Sequence, residues 1–424
     1  MSPSFARAQM LRQHRRHEEA VALLHEHLAH HPEDPGAFIE LALNRLEIPG
    51  AKALALEDAR RASGLLPEDS FPLALQSRIL SMLDREKEAL PLAESAIALD
   101  PEDTYSWNAK TLALAGLHRW AEAEQSARQA LVVDPDDESA SNLLAHVLRL
   151  QNKLEESEQE SRRRLERDPE NAFSFANSGW AALQRRQVKD AENYFKEALR
   201  LDPEMGYAKE GLKQSYKARS GFYRLFLRWA FFLQRFSEKH RTMILIGVYF
   251  GFRIVRAIAE AVNPILAVPV VIAYFLLLFG TWLSSGIANL LILKDPVARM
   301  SLDRGEKLEG IFVGSFFIGG VALLIGGMAS GLMPLAIAGG TLMAASIPAS
   351  LVFTNESKTG RWLFGTCLAV VLALGGFVVF AMSSQASYDA WKDKTGAAIT
   401  IALLIVMGVT WLAMVPSLRK AKPE

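Results

Sequence analysis

Residues 101–135, PEDTYSWNAKTLALAGLHRWAEAEQSARQALVVDP, open on one proline and close on another 34 positions later. The same beat runs through half the chain, at Pro32, Pro67, Pro101, Pro135, Pro169 and Pro203, with intervals of 35, 34, 34, 34 and 34. Acidic residues surround each one, as in Leu66-Pro67-Glu68-Asp69, Asp134-Pro135-Asp136-Asp137 and Asp168-Pro169-Glu170-Asn171. A fixed period of this length marks a stack of identical supersecondary units. In the quoted unit Trp107, Leu114, Ala123, Ala127 and Ala130 fall 28, 21, 12, 8 and 5 residues before the closing proline. Phe175, Ala182, Ala191, Phe195 and Ala198 repeat those offsets before Pro203. The spacing predicts two amphipathic helices of about 12–14 residues per period. Proline ends the second helix because it cannot continue one.

On these residues the units resemble tetratricopeptide repeats. A large residue opens the first helix and a small one follows (Ser77, Thr111, Ala145, Gly179). An alanine then sits in the second helix (Ala55, Ala89, Ala123, Ala191), before the proline. Six units cover roughly residues 1–204, and 205–218 reads as the capping helix that a solenoid needs at its end. Ser157 and Arg164 replace the usual alanines in the unit ending at Pro169, so looser packing is expected there. The extra residue before Pro67 is placed near Ile48-Pro49-Gly50. The resemblance implies a concave groove that binds a protein or peptide partner. By matching positions, it puts Arg78, Tyr105, Asn108, Asn142, His146, Arg149, Asn177 and Trp180 along that groove. Asn108 and Asn142 stand at equivalent places, and an amide there has both a donor and an acceptor for a partner's backbone. Arg78 and Arg149 supply only part of the basic clamp that some family members use on a terminal carboxylate, and Lys110 does not match it.

Charge divides the chain. Residues 1–216 hold 27 Lys/Arg against 37 Asp/Glu, a net of −10, which favours a basic partner. Residues 217–241 hold seven basic residues and only Glu238, and the remainder is sparsely charged. An acidic block, a basic collar and a greasy block in that order predict a protein of the cell (inner) membrane with its repeats in the cytoplasm. The polar N-terminal residues carry no signal-peptide core, which fits that placement. The one cysteine, Cys367, excludes a disulfide within the chain. His27, His30 and His31 share a helix face, but no cysteine joins them, so they read as surface residues rather than a metal site.

The collar, residues 219–241, predicts an amphipathic helix lying in the membrane interface. Arg224, Arg228 and Arg235 form one face, and Trp229 belongs to the aromatic face opposite. Six spans are expected beyond it, at 242–262, 265–288, 309–328, 331–353, 361–383 and 396–417, before a basic cytoplasmic tail at 418–424. Six spans keep the basic loop around 294–308 inside. Arg253, Arg256 and Glu260 then become intramembrane charges, with Arg256 and Glu260 four apart and able to pair. Gly310/Gly314 and Gly327/Gly331 read as small-residue contact points, which leave room for an oligomer through helix faces.

His240 is the last histidine, no HExxH motif occurs, and no Walker loop is present, so catalysis, cofactors and nucleic-acid binding have no support. The expected fold is all-α, a helical-hairpin solenoid followed by a transmembrane bundle. The expected role is a membrane-anchored scaffold, with a channel or transport component regulated by the repeats as the alternative.

Overall fold

A computed structural model describes residues 3–236, 238–263, 270, 283–295, 298–383, 385–413, 415 and 418. Six antiparallel hairpins come first: α1 (Pro3–Gln13) with α2 (His17–His30), α3 (Pro35–Glu47) with α4 (Lys52–Leu65), and α5 (Ser70–Ser81) with α6 (Glu86–Leu99). They continue with α7 (Thr104–Gly116) and α8 (Trp120–Val133), α9 (Glu138–Leu150) and α10 (Leu154–Arg167), and α11 (Ala172–Gln184) and α12 (Val188–Leu201). Helix α13 (Gly206–Lys217) closes the stack.

Two residues after each of the first five prolines, an Asp or Asn turns out to cap the next helix. Asp34, Asp69, Asp103, Asp137 and Asn171 each accept a backbone N–H from the first turn of the following helix, for example Tyr105 N to Asp103 Oδ1 at 3.0 Å. Each such cap contributes about 1 kcal/mol. A second beat lies inside the hairpins. Arg15, Gly50, Asp84, His118, Asn152 and Arg186 all have positive φ, from 57° to 81°. They follow one another at 35, 34, 34, 34 and 34 residues, and each reverses the chain between paired helices. Gly50 follows Pro32 by 18 residues, where Asp84, His118, Asn152 and Arg186 each follow their proline by 17, so the extra residue lies between Pro32 and Gly50. A side chain in this region costs about 1 kcal/mol. Arg15→Gly is therefore expected to raise solenoid stability by up to about 1 kcal/mol, read from the melting temperature.

Alanines fill the slots between helices. Ala55, Ala89, Ala123 and Ala191 are fully buried. Ser157 occupies the same slot and donates its hydroxyl to the Ala145 carbonyl at 2.7 Å, so it fits where hydrocarbon was expected. Ser161 beside it buries its Oγ with no acceptor among the described residues. Arg164 bonds Asp168 at 3.4 Å.

Helix α14 (Gly221–Gln234) is the collar and α15 (Glu238–Val262) follows it. A short apolar helix, α16 (Leu283–Ile292), precedes α17 (Arg304–Ser330), α18 (Met333–Phe353), α19 (Lys358–Ala381) and α20 (Gln385–Leu412). Among the described residues four segments are long and apolar enough to cross a membrane: α17, α18, α19 and the Lys394–Leu412 part of α20. They overlap in residue range with the last four expected spans. Helix α15 covers the first expected span and is not one of the four. Of the second, 265–288, residues 265–269 and 271–282 lie outside the described residues, as does all of the 418–424 tail except Leu418.

Glycines set the helix spacing here. A Cβ at Gly320 would sit 2.7 Å from the Gly339 carbonyl, and one at Gly310 would sit 2.9 Å from Asn289. Gly331 instead ends α17 with φ 73°.

Candidate functional site

The first helices of the central hairpins line a groove. A pocket of about 530 Å³ in it is walled by six of the eight predicted residues: Arg78, Tyr105, Asn108, Asn142, His146 and Asn177. The other two, Arg149 and Trp180, lie just behind. Arg149 is buried, with its guanidinium 5.7 Å above the Trp180 ring. Tyr207, Phe173 and Leu143 also line the pocket and were not foreseen. Tyr207 comes from the capping helix α13, past the last proline, where repeat matching does not reach.

The amides are less free than their positions suggested. Asn142 Nδ2 donates to Asn171 Oδ1 at 3.4 Å, and Asn142 Oδ1 accepts from Ser174 Oγ at 3.0 Å. Asn177 Nδ2 donates to the Asn142 carbonyl at 3.1 Å, and Asn177 Oδ1 accepts from the Tyr207 hydroxyl at 3.3 Å. These two asparagines tie neighbouring hairpins together. Asn108 differs. Its Nδ2 donates to Asp137 Oδ1 at 3.0 Å, while its Oδ1 is buried with no hydrogen-bond partner among the described residues. A buried acceptor left open costs about 1–3 kcal/mol until something donates to it.

The groove charge is also local. Arg78 stacks 5.8 Å from the Tyr105 ring, and neither it nor Arg149 has a carboxylate partner among the described residues. Arg149 Nε is buried without an acceptor. On the acidic side, Glu138 lies 3.8 Å from Arg164, and Asp137 is occupied capping α9 and accepting from Thr104 and Asn108. The groove's two guanidiniums thus lack carboxylate partners among the described residues, Arg78 at the pocket wall and Arg149 buried behind it, although the domain as a whole is acidic.

His146 Nδ1 lies 3.1 Å from the Tyr207 hydroxyl, and burial, with Arg149 nearby, pushes the imidazole pKa down to about 3. The folded protein thus holds a neutral ring where the unfolded chain would protonate near the ordinary value. The stability this lends is present above about pH 6.5 and is lost as pH falls from there toward about 3. His146→Gln is expected to flatten the pH dependence of melting in that window, by at most about 1.4 kcal/mol per pH unit.

The collar helix forms as expected, but one side of its apolar surface is on the protein. Tyr223, Phe226 and Phe231 are buried, and Tyr223 and Phe231 join the core of the last hairpin. Trp120 Nε1 donates to the Arg235 carbonyl at 2.8 Å, and Arg235 Nη2 donates to Asn152 Oδ1 at 2.6 Å. Arg224 and Arg228 stay exposed, Trp229 is half-buried, and Leu225 points outward at 61% exposure. An amphipathic helix packs equally well on a bilayer or on a greasy hairpin, so sequence alone did not separate the two.

The predicted intramembrane charges do not converge on a site. Arg256 Nε meets Glu260 Oε1 at 2.8 Å along α15, Arg253 reaches the Tyr249 hydroxyl at 3.4 Å, and all three charges are exposed. Among the described residues past α13 the buried carboxylate is Glu309, at 1% exposure, near the start of α17. Its oxygens accept from Asn289 Nδ2 at 2.8 Å, Ser350 Oγ at 2.8 Å and Ser285 Oγ at 3.4 Å. Lys217 of the capping helix, 4% exposed, approaches the same place, 3.4 Å from Glu306 and 3.2 Å from Ser285. Lys213 lies 3.1 Å from Glu306, and Arg219 bridges Glu192 and Asp295. The repeats and the apolar C-terminal half thus meet at a polar junction. One helix, α13, reaches from the groove at Tyr207 to that junction at Lys217.

The family described as Tetratricopeptide repeat matches residues 108–172. Residues 3–217 form a solenoid of helical hairpins, of which 108–172 match that family, joined to apolar helices that suggest a membrane domain. Solved structures similar to this chain include a thermophilic TPR protein of Thermus thermophilus, at 16% identity, covering 43% of this chain and 98% of its own, with a TM-score of 0.40. A tetratricopeptide repeat protein from Parabacteroides merdae is 16% identical, covers 50% of this chain and 82% of its own, and scores 0.46. PilW, a type IV pilus biogenesis factor, is 18% identical, covers 49% and 96%, and scores 0.41. None of the curated proteins matches the chain.

Proposed function

We propose that this protein is a membrane-anchored scaffold whose groove takes an extended protein segment carrying an anionic group. The observation that carries the reading is the pocket itself, with an open buried acceptor at Asn108 Oδ1 and the Arg78 guanidinium lacking a carboxylate, backed by the buried Arg149. A peptide N–H suits the first and a carboxylate suits the second. The net charge of −10 argued for a basic partner. Most of that charge lies outside the pocket, whose lining holds Arg78 without a carboxylate and Glu138 already beside Arg164, so the acidic partner is preferred. The apolar helices hold the solenoid at the inner membrane, with the repeats in the cytoplasm.

A transport role has less support, because Arg253, Arg256 and Glu260 lie exposed along one helix instead of lining a path. A photo-crosslinking residue placed at Leu143 in the full-length, membrane-embedded protein tests the groove. It is expected to trap a partner that the same residue at exposed Gln129, on the second helix of a hairpin, does not. Equal trapping at both positions would remove the groove from the account.

A further inference from the structure

A second pocket, of about 690 Å³, lies between the collar and the turns of the last two hairpins, away from the groove. Three arginines line it. Arg186 and Arg228 have no hydrogen-bond or ion-pair partner among the described residues. Arg235 bonds only the Asn152 amide oxygen, and its Nε is buried without an acceptor. This differs from the turns of earlier hairpins, where Arg16, Arg85 and Arg119 each pair with a glutamate three residues on. Three unneutralised guanidiniums around one cavity call for an anion, and for a phosphate above others.

The rest of the lining is apolar. Trp229 and Phe232 stack at 5.6 Å, and Leu225 and Phe232 are 61% and 38% exposed. The buried face of the collar fixes these side chains in place, since Tyr223 and Phe231 hold the helix to the solenoid. The collar leads directly into α15, whose Ile246, Phe250, Ile254 and Ile258 are all more than half exposed. Such a surface belongs at a bilayer.

We propose that this pocket holds the phosphate of an anionic phospholipid. Arg186, Arg228 and Arg235 surround the headgroup, and Leu225, Trp229 and Phe232 contact its glycerol and upper acyl carbons. The site draws one residue, Arg186, from a repeat turn and so fixes the solenoid against the membrane surface. It rests on the membrane attachment proposed above and is independent of the groove.

The test uses the full-length protein in neutral detergent, with soluble dioctanoyl phosphatidylglycerol, dioctanoyl phosphatidylcholine and inorganic phosphate as probes, read by native mass spectrometry and thermal shift. Phosphatidylglycerol is expected to bind at least about tenfold tighter than phosphatidylcholine, and inorganic phosphate alone is expected not to compete. Arg186→Gly and Arg228→Gln should each weaken binding roughly fivefold, and together roughly 25-fold, the change expected per arginine at an anionic surface. Arg224→Gln, an equal loss of charge on the same helix but outside the pocket, should change it less than about twofold. Equal binding of both lipids, full competition by phosphate, or unchanged affinity in the double variant would overturn the site. If the double variant melts early, the two single variants, both at exposed positions, decide the matter. Loss of lipid binding with crosslinking at Leu143 intact, or the reverse, separates this site from the groove.

Discussion

Phe195→Ala is expected to cost the solenoid about 3–5 kcal/mol, among the largest losses any single side chain here would cause. The ring is fully buried and fills a space shaped for it by two glycines. A Cβ at Gly179 or Gly211 would collide with it, so α11, α12 and α13 pack at that distance only because those positions are bare. Truncation leaves a cavity that the stack cannot close, since its neighbours are alanines already at contact. Phe195 also meets Trp180 edge-on at 5.5 Å, and Trp180 packs on Tyr207 at 5.6 Å. The loss therefore extends to the wall of the groove. A fall of roughly 6–20 °C in melting temperature is expected for a unit of this size, together with a change in tryptophan fluorescence. A variant that melts within a degree or two of the parent would show that the three helices are not held by this ring.

Glu309→Ala is the second. The carboxylate is the shared acceptor for Asn289, Ser285 and Ser350, which come from two other helices, and it stands beside the buried ammonium of Lys217. Removing it leaves several donors buried without acceptors and weakens the charge balance around Lys217. Together these cost about 3 kcal/mol or more. Glu309→Gln keeps one acceptor oxygen but places an amide N–H against donors, so it should fall between the two. Protease sensitivity near residues 292–306, measured with thermal stability of the detergent-solubilised protein, reads the effect. If the alanine variant is as resistant as the parent, the junction is held by the surface pairs at Glu306 and Asp295 instead.

Much of the solenoid was legible because its cause is periodic. Alanines at fixed offsets can only mean helices in close contact, and a proline with an acidic neighbour can only end one helix near the start of the next. The turn residues followed the same period but stayed invisible. Arginine, glycine, aspartate, histidine and asparagine share that backbone conformation without sharing a chemical type. Six residues placed by register line one pocket, yet register could not show that Asn142 and Asn177 spend their amides on neighbouring hairpins. Nor could it reach Tyr207, which lies outside any repeat. In the sequence Glu309 is only the first residue of the expected span 309–328. Its burial depends on Asn289 and Ser350, 20 and 41 residues away, and no local pattern encodes that.

The central claim is that the groove recognises an extended segment with an anionic group. A random peptide library displayed on phage and selected against the full-length protein in lipid nanodiscs tests it most directly, with Asn108→Ala/Arg78→Gln as the counter-target. The account predicts selected peptides rich in Asp and Glu or ending in a free carboxylate, bound at least about tenfold more weakly by the double variant, as befits the loss of a charged hydrogen-bond partner. Selection of Lys- and Arg-rich peptides, or of any sequence that binds parent and variant alike, would contradict it.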